Sequence, residues 1–408
     1  MRIYGLLGEH LGHSFSPQIH KIIGGYDYGL FERSPEQLDA FLRSDEFDAI
    51  NVTIPYKKAV IPYCAELSPQ AKAIGSVNTI VRREDGTLDG DNTDYYGILY
   101  TIRHSGVDIA GKKCVVFGDG GVAPTVRTVL RDLNAGEIVT VSRKGENNFT
   151  NLERHYDAQV VINATPVGMY PNNGVSVAPL EHFDRLEAAF DLVYNPHKTE
   201  FLRQAEKKGA VAENGLRMLV AQAKRGSEIF QGTTIDDDVI EPIRESMEKQ
   251  SMNVALIGMA GCGKTTTGTA LARMLGRKFI DCDDLIPEYA GGKSIQQIFA
   301  EDGEDAFRKI ETAVLRDVSK ESGLVIATGG GVVTRPENLP LLRQNSVTVL
   351  LHRPIEDLPT DGRPMSQLHG KAALYEKRKP LYESWGEVRI ECCGVDATAQ
   401  AIREALGL

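Results

Sequence analysis

The chain has 408 residues, 42% of them hydrophobic and 25% charged, and carries a net charge of -10. One hydrophobic core does not serve that length, so two or three domains are expected, and the negative balance argues against nucleic-acid or anionic-membrane partners. Six cysteines, at 64, 114, 262, 282, 392 and 393, include no CxxC pair, and no apolar run approaches a membrane span. Reduced thiols and a cytoplasmic address are the expectation, while oligomeric state is not legible.

In chain order, the first informative stretch is NVTIPYKKAV, Asn51 to Val60. The alternation of Ile50, Val52 and Ile54 predicts a strand, and Pro55 predicts a helix start, which puts Lys57 and Lys58 in a first helical turn. Next, SVNTIVRREDGTLDGDNTDYYG reads as two strands joined by a tight turn at Asp85-Gly86. Counting outward from that turn sets position 78 opposite 93, with Asn78, Asn92 and Asp94 at the open end of the hairpin. A carboxylate at 94 within reach of Lys57 makes a proton-transfer pair; Asn92 reads equally well as a turn cap.

The runs KKCVVFG, EIVTVS, AQVVINAT and AAFDLVY follow, and later NVALIG, GLVIATGG and SVTVLLH. Each is a short apolar run of the buried parallel type separated by helical patterns, which predicts an α/β fold. The first runs into Gly118-Asp119-Gly120-Gly121 and then Val122 at a helix start, a loop that lets backbone approach a pyrophosphate. The second ends in Ser142-Arg143-Lys144, two cations where a ribose-binding acid would favour NAD, so NADP is the expected cofactor. Asp119 puts an unhelpful negative charge in that loop. The polar stretch IRESMEKQSMN, residues 243 to 253, reads as an interdomain linker, with a charged helix end as the alternative.

Beyond it, NVALIGMAGCGKTTTG matches the phosphate-loop pattern GxxxxGK[ST] between a strand and an apolar-periodic helix. Gly258, Gly261, Gly263, Lys264, Thr265 and Thr266 are the expected nucleotide-binding residues, with Thr265 on magnesium. In KFIDCDD, strand alternation would put Asp281 and Asp283 on one side, as a metal-side acid and a substrate-side base. GEDAFRKIE sets Arg308 and Glu311 on one helical face, where a surface ion pair is the plain reading. Gly329, Gly330 and Gly331 end a strand, and YEKRKPLYE supplies Arg378.

Over about its first 245 residues the chain resembles shikimate dehydrogenase. HSFSPQIH, NVTIPYK, GSVNTI, GDNTD, GDGG, NATPVGM and LVAQA occur in order. The resemblance implies that Ser14, Ser16, Thr53, Lys57, Asn78, Asp94 and Gln222 bind a polyhydroxylated ring, and that Tyr194 closes the site near the nicotinamide. Lys57 would meet the developing oxyanion, eased toward deprotonation by its helix start, while Asp94 holds the ammonium. From about 250 to 408 the chain resembles shikimate kinase, through the phosphate loop, DCD, FRKIE, GGG, GRPM and RKPLY. That implies Asp283 at the ring hydroxyls, Asp281 toward magnesium, Arg308, Gly330, Gly331 and Arg378 around the substrate, and Arg363 in a lid.

The expected organisation is thus a substrate lobe at 1–100 with 232–245 packing back on it, and a Rossmann-like NADP lobe at 101–231. A linker at 246–252 and a P-loop kinase domain with a central parallel sheet at 253–408 complete it. The two halves would reduce 3-dehydroshikimate to shikimate with NADPH and phosphorylate shikimate with ATP and Mg²⁺. Two alternatives stand beside this: quinate and NAD preference with an altered kinase half, or a non-catalytic shikimate-sensing regulator.

Overall fold

The computed structural model describes residues 2–12, 14–358 and 371–408. The chain divides into two compact units: Met1–Met169 with Val175–Tyr194 and Thr199–Met247, and Tyr170–Gly174 with Asn195–Lys198 and Glu248–Leu408.

The first unit holds two sheets. Strands β1 (Tyr4–Gly8), β2 (Tyr28–Glu32), β3 (Ala49–Val52), β4 (Cys64–Leu67), β5 (Thr79–Arg82) and β6 (Leu88–Asp91) form a mixed sheet in the order β2-β1-β3-β5-β6-β4. Strands β7 (Lys113–Phe117), β8 (Glu137–Val141), β9 (Val160–Asn163), β10 (Ala188–Asp191) and β11 (Val211–Glu213) form a parallel sheet in the order β11-β10-β9-β7-β8. Alternation along these strands feeds two cores. Val115, Phe117, Val139, Val141, Val161 and Ala189 meet Phe183, Phe201 and Leu202, while Cys114, Val116, Val160, Ile162 and Phe190 meet Val126, Val129 and Leu130. Burial on both faces is why the inner strands read as unbroken apolar runs. Strand order reverses between β7 and β9, so their carboxyl ends open the crevice where α/β sheets bind ligands.

The second unit has one parallel sheet. Strands β12 (Asn253–Ile257), β13 (Phe279–Asp281), β14 (Val325–Ala327), β15 (Ser346–His352) and β16 (Val388–Glu391) lie in the order β13-β14-β12-β15-β16. The helix Lys264–Leu275 follows β12 directly after the glycine loop.

Four local expectations change. Residues 54–60 are hydrogen-bonded turns leading to a 3-10 turn at Ile61–Tyr63, and no helix starts at Pro55. The Lys57 carbonyl accepts from Val77 N–H at 2.8 Å, while Ile61 N–H goes to Lys58 O at 3.3 Å. Val60 N–H does reach Tyr56 O at 3.1 Å, but with the next carbonyl committed to the approach to β5 that one α-type bond does not propagate, and Lys57 has no helix dipole behind it.

The hairpin loop is one residue longer than expected. Arg83 N–H donates to Thr87 O at 2.8 Å, Gly86 N–H donates to Arg83 O at 3.0 Å, and Gly86 has φ 85°. Asp85 Oδ1 accepts from Thr87 N and Oγ1 at 2.9 and 2.6 Å, which favours the three-residue loop with its left-handed glycine. The pairing Thr79↔Asp91 therefore sets 78 opposite 92 instead of 93.

Asp283 is not on a strand. β13 ends at Asp281, whose Oδ1 accepts from Asp283 N at 3.0 Å and caps the helix Cys282–Tyr289. Strand alternation therefore does not relate the two carboxylates. Finally, the polar stretch before β12 takes its helical alternative, Ile240–Ser251, while the division between the two units still falls within it, between Met247 and Glu248.

Candidate active sites

A cleft of roughly 690 Å³, partly open to solvent, lies in the first unit. Ser14, Ser16, Thr53, Lys57, Asn78, Asp94, Tyr194 and Gln222, all the ring-binding candidates, line it. They come from the loop after β1, the start of the helix Ser16–Gly24, the residues just after β3 and just before β5, the helices Asp94–His104 and Leu216–Gln231, and the loop after β10. Lys57 Nζ donates to Asp94 Oδ2 at 2.6 Å, with side chains 17% and 8% exposed. Burial makes this a charge-assisted bond of the stronger kind, and removing either partner leaves an uncompensated charge. Lys58 is exposed.

Asn92 does what a cap does. Its Nδ2 donates to Ser76 O at 2.9 Å and its Oδ1 accepts from Tyr95 N at 3.3 Å. Tyr194 packs its ring 5.5 Å from that of Phe15, between the two serines. Behind it, buried Asp191 accepts from Val193 N, Asn163 Nδ2 and Thr199 Oγ1 at 3.0, 2.9 and 2.6 Å. Burial pushes its carboxyl up to about 7 against those three bonds, so Asp191 anchors the segment that carries Tyr194.

Sequence reasoning missed Met218 and Leu219 as cleft residues, and Thr93 beneath it. The helix Leu216–Gln231 presents the first two on the same face as Gln222, a 3.6-residue spacing that could have found them. Asn51, although in the motif, is engaged by its own fold: Oδ1 accepts from Tyr28 OH at 2.7 Å and Nδ2 donates to Thr79 Oγ1 at 3.0 Å.

At the crevice of the parallel sheet, Gly118 has φ 101°, and a Cβ there would lie 2.6 Å from Thr165 Cγ2. Gly120 and Gly121 have open space in front of them, and Val122 is the N-cap of the helix Ala123–Asp132. Asp119 is exposed in the same loop. After β8, Ser142 is buried with its N–H on Asn147 O at 3.1 Å, whereas Arg143 and Lys144 are exposed. Neither makes an ion pair among the described residues.

In the second unit, Gly258, Gly261 and Gly263 have φ 142°, 84° and 105°, which forms the loop ahead of the helix. Lys264 Nζ donates to Gly258 O and Met259 O at 2.9 and 3.0 Å, Thr266 Oγ1 to Gly263 O at 3.1 Å, and Thr265 Oγ1 to Asp281 Oδ2 at 2.6 Å. Arg308 and Glu311 are no surface pair: Arg308 Nη1 donates to Glu311 Oε2 at 2.7 Å with side chains 6% and 2% exposed. The helix carrying them faces Gly329 and Gly331. A Cβ on Gly331 would fall 2.1–2.2 Å from the Arg308 guanidinium, and one on Gly329 would meet Glu311 and Asp283.

Asp283 Oδ1 and Glu311 Oε1 are buried without a hydrogen-bond partner among the described residues. Burial, then the charges of Asp281 and Glu311, push the Asp283 carboxyl up to about 6. Arg378 Nη1 donates to Gly330 O at 3.0 Å, and Tyr382, which sequence reasoning missed, donates its hydroxyl to the same carbonyl. Arg363 lies outside the described residues.

These arrangements define a two-sheet α/β protein with a dinucleotide crevice beside a Lys–Asp cleft, joined in one chain to a P-loop phosphotransferase fold. A family model described as a shikimate dehydrogenase substrate binding domain matches residues 6–80, and one described as shikimate kinase matches residues 260–405. A shikimate dehydrogenase (NADP(+)) of Clostridium perfringens (strain SM101 / Type A) is 37% identical over 269 residues, 61% of this chain and 99% of that one. Among solved structures, a chorismate mutase/shikimate 5-dehydrogenase fusion protein from Clostridium acetobutylicum has a TM-score of 0.58 at 39% identity, over 61% of this chain and 97% of that one. The shikimate 5-dehydrogenase of Thermus thermophilus, in complex with NADP(H) and shikimate, has a TM-score of 0.55 at 31% identity, over 60% and 99%. The chain belongs to the shikimate dehydrogenase family and carries a shikimate kinase domain after it in sequence, a bifunctional shikimate-pathway enzyme.

Proposed function

We propose that the first unit reduces 3-dehydroshikimate to shikimate and that the second phosphorylates shikimate to shikimate 3-phosphate. NADPH supplies the hydride, and ATP with Mg²⁺ supplies the phosphoryl group. The observation that carries the first half is the 2.6 Å Lys57–Asp94 pair in a cleft lined by hydroxyl and amide side chains. As hydride reaches the ketone carbon, its oxygen gains negative charge; the Lys57 ammonium donates the proton that completes the alcohol. Asp94 keeps that ammonium aimed. Ser14, Ser16, Thr53, Asn78 and Gln222 bind the ring oxygens, and Tyr194 closes the site on the nicotinamide side.

The residues present fit the nucleotides. Bare glycines at 118, 120 and 121 admit a pyrophosphate, and the unpaired Arg143 and Lys144 suit the 2′-phosphate of NADP. Thr265 and Asp281, already bonded to each other, would hold a magnesium, which would neutralise charge on the transferred phosphoryl group. Asp283 accepts the proton of the attacking hydroxyl, and Arg308 and Arg378 bind the carboxylate as guanidinium forks. In this reading the substrate lobe occupies 1–100 with 232–245, the NADP lobe 101–231, and the kinase 253–408. Among the described residues no helix is long and apolar enough to cross a membrane.

The test is direct. Incubate the full chain with 3-dehydroshikimate, NADPH and Mg-ATP and look for shikimate 3-phosphate. Accumulation of unphosphorylated shikimate would overturn the kinase half; no NADPH consumption would overturn the dehydrogenase half.

A further inference from the structure

Thr93 lies beneath the dehydrogenase cleft, 1% exposed, as N-cap of the helix that begins with Asp94. It touches two cleft amides. Thr93 N–H donates to Asn78 Oδ1 at 2.7 Å, and Asn78 Nδ2 donates to Thr93 Oγ1 at 3.1 Å. Thr93 Oγ1 also lies 3.3 Å from Gln222 Oε1.

The direction of each bond follows from partners that work only one way. A backbone N–H only donates, so the atom of Asn78 facing Thr93 N is its oxygen. A backbone carbonyl only accepts, so the atom of Gln222 on Leu219 O, at 3.0 Å, is its nitrogen. Thr79 Oγ1, which accepts from Asn51 Nδ2 at 3.0 Å, gives its own proton to Asn78 Oδ1 at 3.0 Å. Thr93 Oγ1 therefore accepts from Asn78, and its single proton has three oxygens at 3.3 Å, Gln222 Oε1, Asn78 Oδ1 and Thr79 Oγ1. Asn78 Oδ1 already accepts from Thr93 N and Thr79 Oγ1, and Thr79 Oγ1 from Asn51, so the proton goes to Gln222 Oε1, which accepts no other bond among the described residues. Both amide oxygens are then engaged by protein, and each amide nitrogen keeps one N–H without an acceptor among the described residues.

We infer that Thr93 is a positioning residue for the dehydrogenase reaction: its hydroxyl orients Asn78 and Gln222 so that both offer N–H donors to oxygen atoms of the substrate. Nothing in this requires Thr93 to touch the substrate. The inference rests on the cleft being the shikimate site, as proposed above.

Steady-state oxidation of shikimate with NADP by the full chain tests it. Thr93→Val keeps the shape and removes the hydroxyl. It should raise KM for shikimate about tenfold or more, with KM for NADP, the pH profile of kcat and the phosphorylation rate as in the parent chain. Thr93→Ser should bring KM back to within about twofold. In a Gln222→Met background, Thr93→Val should have a smaller effect than in the parent chain, because the part that runs through Gln222 is gone while the part that runs through Asn78 stays. Gln222→Glu tests the same orientation without altering Thr93: an acceptor in place of the Nε2 donor should raise KM more than Gln222→Met does. Parental KM in Thr93→Val, a Thr93→Ser as impaired as Thr93→Val, additivity in the Gln222→Met background, or a milder Gln222→Glu would each overturn the inference. A parent chain that fails to oxidise shikimate would instead overturn the assignment of the cleft.

Discussion

A carboxyl held up to about 6 from its ordinary 3.8, as Asp283 is, lowers the stability of the fold wherever it ionises. Between about pH 4 and 6 the unfolded chain releases this proton while the folded chain keeps it. The contribution to unfolding free energy therefore falls as pH rises through that window and stays low above it. Asp283→Asn removes the charge and should make the kinase unit more stable at pH 8 by on the order of 1 to 2 kcal/mol while abolishing phosphorylation. Denaturant unfolding at pH 4 and pH 8 checks it: equal losses of stability in parent and variant between the two would refute the assignment. For catalysis the sign is opposite, since the base must be ionised. kcat/KM for phosphorylation should drop below about pH 6. In the other unit, Lys57→Ala should abolish NADP-linked reduction and Lys58→Ala should leave it nearly intact, because one side chain is paired in the cleft and the other is exposed.

Elements explain which parts of the fold could be read in advance. β7, β9, β10, β12, β14 and β15 are internal to their sheets, and their apolar runs are continuous. β8 lies at an edge but keeps a legible alternation in EIVTV, with Val139 and Val141 buried. Strands β2 and β11, also at edges, carry no such pattern, and β16 carries it over only four residues. β2 has only Tyr28 buried, β11 has no fully buried residue, and β16 alternates between half-buried and exposed. An edge strand of this kind owes its place to backbone pairing with a neighbour, which leaves little trace in side-chain pattern. Gly118 is the element-scale test. With φ 101° and Thr165 against its missing Cβ, Gly118→Ala should lower thermal stability and weaken NADP binding about tenfold or more by titration, without changing phosphorylation. Gly331→Ala should do the reverse. Its Cβ would displace an Arg308 guanidinium that buried Glu311 holds in place, so phosphorylation should fail while NADP-linked oxidation persists.

At the scale of the molecule, the described residues of each candidate site fall within one compact unit, every cleft residue in the first and every described phosphate-loop residue in the second. Lys264→Ala should therefore abolish phosphorylation and leave reduction at the parental rate, the mirror of Lys57→Ala. Loss of both activities from either single change would show that the units do not act independently.

The sequence by itself determined the two chemistries, because phosphate loops, glycine turns and a lysine and an aspartate in recognisable segments are local and survive being read one residue at a time. It also determined the α/β class, through apolar runs that only buried strands need. Tertiary structure decided what those residues are attached to. Whether Lys57 sits in the first turn of a helix depended on Val77 claiming its carbonyl, and whether Arg308–Glu311 is a surface pair depended on Gly329 and Gly331 lying against it. The partners of Asn78 and Gln222 meet at Thr93 from positions 15 and 129 residues away, a convergence that no local pattern encodes.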